Sequence, residues 1–280
     1  MAALTHAAPA RRRPHIGAGL FVILCAMYFV VPLLAMARFS FQNVPVVTLD
    51  WGNALSRWTL DGLRTAFSDS GFWRAAWLSL QLAVTTVGVN MALLVPTAIW
   101  AHLRTPRWRP LVEGITLLPW VVPPVALVVG VASTYRQAAP WFLASPFSLV
   151  PFYVILALPF TYRSLDAGLR AIELQTLTEA SRSLGAGWWT TLWRVVMPSI
   201  RSALIGSSFL TTTVVLGEFT VAALLLKRTF PAYLAEYQRS EPQGAMALAL
   251  VSMLTTSILL LIISVLTRRK HGRIEATRIA

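Results

Sequence analysis

The side chains that most often carry out chemistry are few in this sequence, and their spacing matches no catalytic or metal site. There is one cysteine, Cys25, and the four histidines are scattered: His6, His15, His102 and His271. A zinc site needs three or four such ligands brought together, and one thiol can form no internal disulfide. Neither lysine, Lys227 or Lys270, follows the glycine-rich run of a phosphate-binding loop. We therefore expect no catalytic residue, no bound metal and no nucleotide site on this chain.

Three polar or aromatic side chains within apolar stretches are candidates for lining a substrate path. Glu218 could contact a cationic solute, because an ionisable group in a membrane normally faces protein or water. It could equally be a packing carboxyl hydrogen-bonded to a neighbouring helix. Thr212 belongs to a run of three threonines that could face a pore or bond back to their own helix. Trp120 lies among three prolines, which predict a kinked or broken helix.

The elements that must position these residues are membrane-spanning helices. The 280-residue chain is 56% hydrophobic and only 12% charged, whereas soluble domains carry about a quarter charged residues. A span needs about 20 mainly apolar residues. Six stretches qualify, at 17–37, 75–101, 111–132, 147–162, 200–226 and 245–267. The sequence therefore predicts an all-α polytopic membrane protein, whose first stretch is a retained span and not a cleaved signal peptide.

The distribution of basic residues predicts the topology. If the N-terminus is cytoplasmic, 16 Lys and Arg lie on the inner side and 8 on the outer side, as the positive-inside rule requires. We expect both termini inside, with a tail at 1–16, a six-helix domain at 17–267, a basic tail at 268–280 and a long inner loop at 163–199. The net charge of +13 then reflects membrane topology, and nucleic acid is not an expected partner.

The inner loop 163–199 is too polar to cross a bilayer, yet it carries the signals of short helices. Thr176 and Glu179 have the spacing of a capping box, Gly185 suits a left-handed helix end, and Pro198 suits the first turn of the next helix. Several residues after the glycine have the spacing of one helical face: Trp188, Trp189, Leu192, Trp193 and Val196. We predict two short helices around a glycine break. The aromatic face could rest on membrane lipid or bind a partner protein.

One pattern in this loop resembles the EAA motif of ABC importer membrane subunits. Glu179-Ala180-Ser181, Gly185 and Met197-Pro198 have the spacing of that motif, with Ser181 for the usual second alanine and Met197 for a common leucine. Segments 158–170, 217–226 and 230–238 are similar to permeases of the spermidine/putrescine type. The resemblance covers roughly residues 58–267.

The resemblance implies the type I ABC importer permease fold, with six transmembrane helices, in the plasma (inner) membrane of a prokaryote. It implies a coupling helix that docks on an ATPase subunit through residues matching the motif: Glu179, Ala180, Ser181, Arg182, Gly185, Ala186, Trp189 and Pro198. Arg182 could instead be only a positive-inside anchor. The implied partners are an ABC ATPase dimer that holds ATP and Mg²⁺, a second permease subunit in a heterodimer, an extracytoplasmic substrate-binding protein and membrane lipid. The implied mechanism is alternating access.

The polyamine-type resemblance implies uptake of a small organic cation such as spermidine or putrescine. Ferric iron, phosphonate and opines are alternatives, since related permeases carry them and the outer loops show no acidic excess. A different hypothesis is an intramembrane enzyme that modifies lipids. Such an enzyme needs acids, bases or metal ligands at one membrane depth, whereas Glu113 and Glu218 lie near opposite ends of their predicted spans.

Overall fold

The structure is a computed structural model that describes residues 16–42, 50, 52, 56–104 and 106–276, with side chains described as far as Ile258 and at Leu261. Of the predicted tails, residues 1–15 and 277–280 lie outside the described residues. The described part is almost entirely helical, with one isolated antiparallel bridge between Gln42 and Trp58.

The helices, in chain order, are α1 (Ile16–Phe41), α2 (Asp61–Ser68), α3 (Ser70–Leu103), α4 (Arg109–Val121), α5 (Pro124–Ala138), α6 (Pro140–Ala144), α7 (Leu149–Arg170), α8 (Leu174–Ser183), α9 (Trp188–Thr191), α10 (Met197–Ser199), α11 (Arg201–Gly217), α12 (Thr220–Leu224), α13 (Phe230–Ser240) and α14 (Pro242–Ala276). Within the described residues, Gly19–Phe41, Ser70–Leu103 and Pro146–Arg170 are each long and apolar enough to cross a membrane. Two bent helix pairs qualify when each is counted as one span, and Pro242–Ile258 is a shorter apolar helix.

The six predicted stretches coincide with these elements, but two of them are not single helices. The third is broken after Val121, and α4 and α5 meet at 84°. Pro123 and Pro124 explain the break, because each lacks an N–H for the helical ladder. The predicted fifth span, 200–226, is also wrong as one helix: α11 ends at Gly217, and the chain becomes helical again only in the five residues of α12.

The fourth predicted span is too short at its C-terminal end. Helix α7 is continuous across Pro159 and runs to Arg170, so the loop predicted at 163–199 begins at 171. We call residues 171–200 the α7–α11 loop. The predicted span ends early because charged residues were taken as the start of a loop. Arg163, Asp166 and Arg170 in fact lie within this helix. At the C-terminus, α14 continues to Ala276, past the predicted tail boundary at 268.

Helix α7 is the centre of the bundle and packs against α3, α4 and α11. It contributes to two apolar clusters, one around Leu149, Phe152 and Tyr153 and one around Leu165 and Leu169. Helices α7 and α11 approach most closely where Gly168 meets Ala203: a Cβ built on Gly168 would overlap the Cβ of Ala203. About two turns away, the Thr161 and Thr211 hydroxyl oxygens are 2.8 Å apart. Small residues let helix backbones come this close within membranes.

The end of the bundle opposite the α7–α11 loop is fastened by Asp69, the N-cap of α3. Its Oδ1 accepts a hydrogen bond from the Gly71 N–H at 2.7 Å, and its Oδ2 accepts one from the Tyr233 hydroxyl at 2.7 Å. The Gly71 N–H foremost, and then the Tyr233 hydroxyl, hold the pKa of Asp69 below its ordinary 3.8. The carboxylate thus joins the start of α3 to α13.

Replacing Asp69 with alanine is expected to lower the free energy of unfolding by about 1 kcal/mol at neutral pH, the usual cost of a lost N-cap. Because the folded pKa is depressed, the ionised Asp69 stabilises the fold above pH 3.8 and ceases to do so as the pH falls through the folded value. The difference between wild type and Asp69→Ala should therefore shrink in acid. Unfolding of the purified protein in detergent as a function of pH measures it, with the exposed Asp61→Ala as control. A difference that stays constant into acid contradicts the assignment.

Candidate functional site

The α7–α11 loop is two short helical segments joined by a tight glycine turn, as predicted. Helix α8 ends in a turn where the Gly185 N–H bonds to the Arg182 carbonyl at 2.9 Å and the Ala186 N–H bonds to the Ser181 carbonyl at 3.1 Å. These two bonds define the Schellman motif, which requires a residue with a left-handed backbone conformation just after the end of the helix. Gly185 supplies it with a φ of +80°, and open space surrounds the position of its missing Cβ.

One face of α8 packs against the bundle and holds the loop in shape. Leu174, Thr178 and Ser181 are buried along this face. The Ser181 hydroxyl lies 2.8 Å from the Thr191 hydroxyl, which ties α8 to α9 across the turn. Ser181, predicted as a contact for a partner, is therefore an internal residue of the loop. The predicted capping box is also wrong: α8 begins at Leu174 after a left-handed Glu173, so Thr176 lies inside the first turn.

The rest of the loop surface is exposed and carries most of the predicted residues. Glu179, Ala180, Arg182 and Gly185 are exposed there, and Ala186 is half-buried. Trp189 is 70% exposed, and Leu184, at the tip of the turn, is 88% exposed. Sequence reasoning missed Leu184. Its position just before the left-handed glycine could have indicated it, since the residue before such a glycine ends the helix and projects from the turn.

A groove of about 730 Å³ runs between this loop and the end of α3. Its walls combine indole rings and aliphatic side chains with Arg104, Glu179 and Arg182. No hydrogen bond or ion pair engages those three charged side chains within the part of the chain that the structure describes. The arrangement offers a partner protein an apolar tip, a wall of indoles and unpaired charges of both signs.

The aromatic stretch after the glycine does not form one packed face. Val196 is buried and Leu192 half-buried, whereas Trp188, Trp189 and Trp193 are exposed. The turn from Leu192 to Val196 is π-helical, which rotates the following residues relative to an α-helix. Helical structure continues through Pro198 to Ser199, and the chain bends by 70° before α11. Pro198 is exposed and precedes this bend, so it does not begin the spanning helix as predicted.

A cluster of charged residues that the sequence reasoning did not find lies where the C-terminal ends of α3 and α7 meet the start of α4. Asp166 accepts a hydrogen bond from the Arg109 guanidinium at 2.8 Å and pairs with Arg170 at 2.7 Å. The Nε2 atom of His102 lies 3.3 Å from the same carboxylate. The partners are far apart in sequence, and Asp166 had been assigned to a loop, so no local pattern indicated the cluster.

Each of the three candidates for a substrate path is engaged in a hydrogen bond with the backbone. The Glu218 carboxylate accepts hydrogen bonds from the N–H groups of Val221, at 3.0 and 3.1 Å, and Ala222, at 3.4 Å. It therefore caps α12 where the fifth span is broken. The Thr212 hydroxyl bonds back to the Ser208 carbonyl, as the alternative interpretation predicts. Trp120 donates its indole N–H to the Leu156 carbonyl at 3.0 Å and packs edge-to-face on Phe160.

Comparisons with known proteins agree with this architecture. The family described as "Binding-protein-dependent transport system inner membrane component" matches residues 94–272. The sulfate transport system permease protein of Synechocystis sp. is 27% identical over 73% of this chain and 80% of its own length. The molybdenum transport system permease protein of Mycobacterium bovis is 29% identical over 82% of this chain and 91% of its own length. A bacterial ABC transporter that imports the acidic polysaccharide alginate has a similar fold, with a TM-score of 0.61 at 18% identity over 89% of this chain and 94% of that one.

Within the described residues, no three His, Cys, Asp or Glu side chains are grouped closely enough to hold a metal ion.

Proposed function

The chain belongs to the family of binding-protein-dependent transport system inner membrane components, and we propose that it admits a small oxyanion to the cytoplasm when an ATP-hydrolysing partner moves the α7–α11 loop. The family makes the chain a permease subunit of an ABC importer, in which ATP hydrolysis belongs to a partner subunit. The polyamine specificity expected from the sequence finds no support in the sulfate, molybdenum and alginate proteins described above.

The observation that carries the coupling role is the rigid, protruding turn at Gly185. Its two backbone hydrogen bonds and the Ser181–Thr191 contact hold it in one shape, so a force applied at Leu184 reaches α8 and α9 together. Glu179, Ala180, Arg182 and Trp189 surround the tip and would bind the ATPase surface. Ala186 and Pro198 would contribute only at the edge of this contact. We place the loop and both chain termini in the cytoplasm, on the basis of the basic residues.

The remaining partners follow from the same proposal. A second permease subunit, in a heterodimer, would complete the solute path. Membrane lipid would cover the surface of α1 that points away from the bundle, because the apolar residues of α1 from Leu20 to Leu34 are largely exposed. An extracytoplasmic binding protein would deliver the solute to the end of the bundle near Asp69. ATP and Mg²⁺ would be held by the ATPase dimer, with no cofactor on this chain.

The proposal of an oxyanion rests on two points. The relatives include permeases named for sulfate and for molybdenum, which dissolves as the oxyanion molybdate. The second point is Glu218, the carboxylate that was the candidate receptor for a cation. Both of its oxygens accept backbone N–H groups at the start of α12, so its charge is already compensated and offers little to a polyamine.

Uptake of labelled sulfate, molybdate and putrescine, by cells with and without the chain, tests the solute. We expect cells with the chain to take up sulfate or molybdate. The second of these oxyanions should inhibit uptake of the first, and putrescine and spermidine should leave that uptake unchanged. Ferric iron, phosphonate, opines and alginate oligosaccharides serve as further competitors. Putrescine uptake that requires the chain would contradict the oxyanion and restore the polyamine assignment, while leaving the permease role intact.

The hydrogen bonds of Glu218 lead to a prediction that distinguishes a helix cap from a cation-binding carboxylate. Glu218→Gln keeps one acceptor oxygen for the start of α12, whereas Glu218→Ala leaves those N–H groups unpaired. If the residue is a cap, alanine should lower the free energy of unfolding by about 1 kcal/mol and reduce uptake, and glutamine should have less than half of either effect. If the carboxylate binds a cation, both variants should abolish uptake equally. Unfolding in detergent and uptake in cells are the two measurements.

A further inference from the structure

Asp166 is an acidic residue buried where three spanning elements meet. It is 8% exposed, and it is the only carboxylate among the buried residues that the structure describes. A buried charge is costly unless it is paired and hydrogen-bonded. Asp166 meets this condition with Arg109 at 2.8 Å and Arg170 at 2.7 Å. The His102 Nε2 atom lies 3.3 Å from the carboxylate but makes no hydrogen bond.

The partners of Asp166 come from both ends of one connection. His102 is in the last turn of α3, and Arg109 is the first residue of α4. The carboxylate on α7 therefore holds the start of α4 in place through Arg109. The His102 ring packs beside it, with its Nδ1 2.9 Å from the Ala98 carbonyl. Removing the charge would release the start of α4 from α7.

The Asp166 cluster lies between the α7–α11 loop and the span that is broken between α4 and α5. Helix α7 passes through Arg170 into α8 after three residues, and Leu169 and Leu174 share one apolar cluster across that connection. On the other side, α4 leads to the 84° break before α5. A displacement of α8 that carries the end of α7 would reach α4 through the Asp166–Arg109 pair.

We propose that Asp166 is a positioning residue that makes the start of α4 and the C-terminal end of α7 move as one body when the ATPase moves the loop. The inference rests on the proposed coupling function and adds to it the residue that passes the motion to the broken span. A hydrogen-bonded guanidinium and carboxylate fix one geometry between the start of α4 and α7. Another hydrogen bond between these helices, from the Trp120 indole to the Leu156 carbonyl, lies near the far end of α4.

The structure supplies a matched control on the same two helices. Glu113 of α4 and Arg163 of α7 form an ion pair at 3.3 Å, but their side chains are 37% and 60% exposed. Exposed pairs of this kind contribute little. Glu113→Gln and Asp166→Asn each remove one negative charge, so a difference between them reports the buried cluster and not the net charge.

The test uses the complete importer in proteoliposomes and measures the uptake of labelled sulfate or molybdate, whichever the wild type takes up, per ATP hydrolysed. We expect Asp166→Asn to assemble and to hydrolyse ATP while uptake per ATP falls about tenfold, within the usual range of coupling between sites. Asp166→Glu should recover part of the loss, and Glu113→Gln should match the wild type. The double variant Arg109→Gln/Asp166→Asn should be no worse than the poorer single variant, because both changes break one contact.

Three results overturn the inference. One is wild-type uptake per ATP in Asp166→Asn. Another is a parallel fall of uptake and hydrolysis with the amount of assembled complex, which indicates a merely structural role. The third is additive loss in the double variant. If Asp166→Asn fails to assemble, Arg109→Lys keeps the charge but not the planar donor pair, and the same ratio is measured with it. A wild type without ATP-dependent uptake would count against the proposed function itself.

Discussion

Replacing Gly185 with valine is expected to lower ATP-driven uptake by about tenfold or more, while leaving the spanning helices folded. The left-handed φ of +80° at this residue costs a β-branched side chain at least about 1–2 kcal/mol, and relieving that strain reorients Leu184 and Ala186 on either side. The position is open, so no collision contributes. Uptake in cells and binding of the ATPase subunit to the purified permease measure the loss.

Two neighbouring substitutions separate this effect from a general disturbance of the loop. Gly187 has a φ of −71° and equally open surroundings, so Gly187→Val should change uptake little. Gly185→Asn should retain most of the activity, because asparagine tolerates the left-handed region better than other residues. Equal losses in Gly185→Val and Gly187→Val would show that the turn geometry is not what the partner requires.

Gly168→Ala is expected to be the most destabilising single-methyl change in the bundle. The added Cβ would overlap that of Ala203, where α7 and α11 are closest, and overpacking a tight interface costs about 1–3 kcal/mol. We expect a loss at the upper end of this range, since the obstacle is a side chain that cannot rotate away. Unfolding in detergent and the yield of folded protein from membranes are the measurements.

The exchange of the two residues provides the control. Gly168→Ala combined with Ala203→Gly moves the methyl group across the interface and should recover most of the stability. Gly206→Ala lies on the same helix pair, but its Cβ would meet the Ser164 hydroxyl oxygen at an ordinary 3.4 Å. A stable Gly168→Ala, or an exchange variant as unstable as the single variant, would contradict the packing.

Hydropathy located the spans because the membrane imposes a simple requirement, a run of apolar residues of bilayer length. Hydropathy failed to give the helix bounds where polar groups within the bundle pair or hydrogen-bond with one another. The C-terminal end of α7 was assigned to a loop, since a sequence cannot show that Asp166 pairs with Arg109 across 57 positions. The break at Glu218 was missed for the same reason: its carboxylate replaces the lost helical bonds locally and lets the helix stop in mid-span.

The glycine turn was predictable, whereas the roles of its neighbours were not. Gly185 has a local cause, a left-handed residue that closes a helix, and the fixed spacing of the motif adds to it. Which side chains are exposed depends on how α8 packs against the bundle. This packing buries Ser181 and leaves Leu184 exposed. Thr176 and Glu179 had the spacing of a capping box, but the helix began earlier because Leu174 is held in the apolar cluster.

Cross-linking from Leu184 tests the central claim most directly, that the turn at Gly185 is where an ATPase subunit binds. The chain has a single cysteine, so Cys25→Ser provides a background in which one new cysteine can carry a photo-activated cross-linker. Leu184→Cys is compared with Leu226→Cys, because these positions are 88% and 89% exposed and lie on different connections of the bundle. We predict a cross-link to the ATPase subunit from position 184 in intact membranes and none from position 226. Absence of a cross-link from 184, or labelling of that cysteine from outside the cell, would contradict the account.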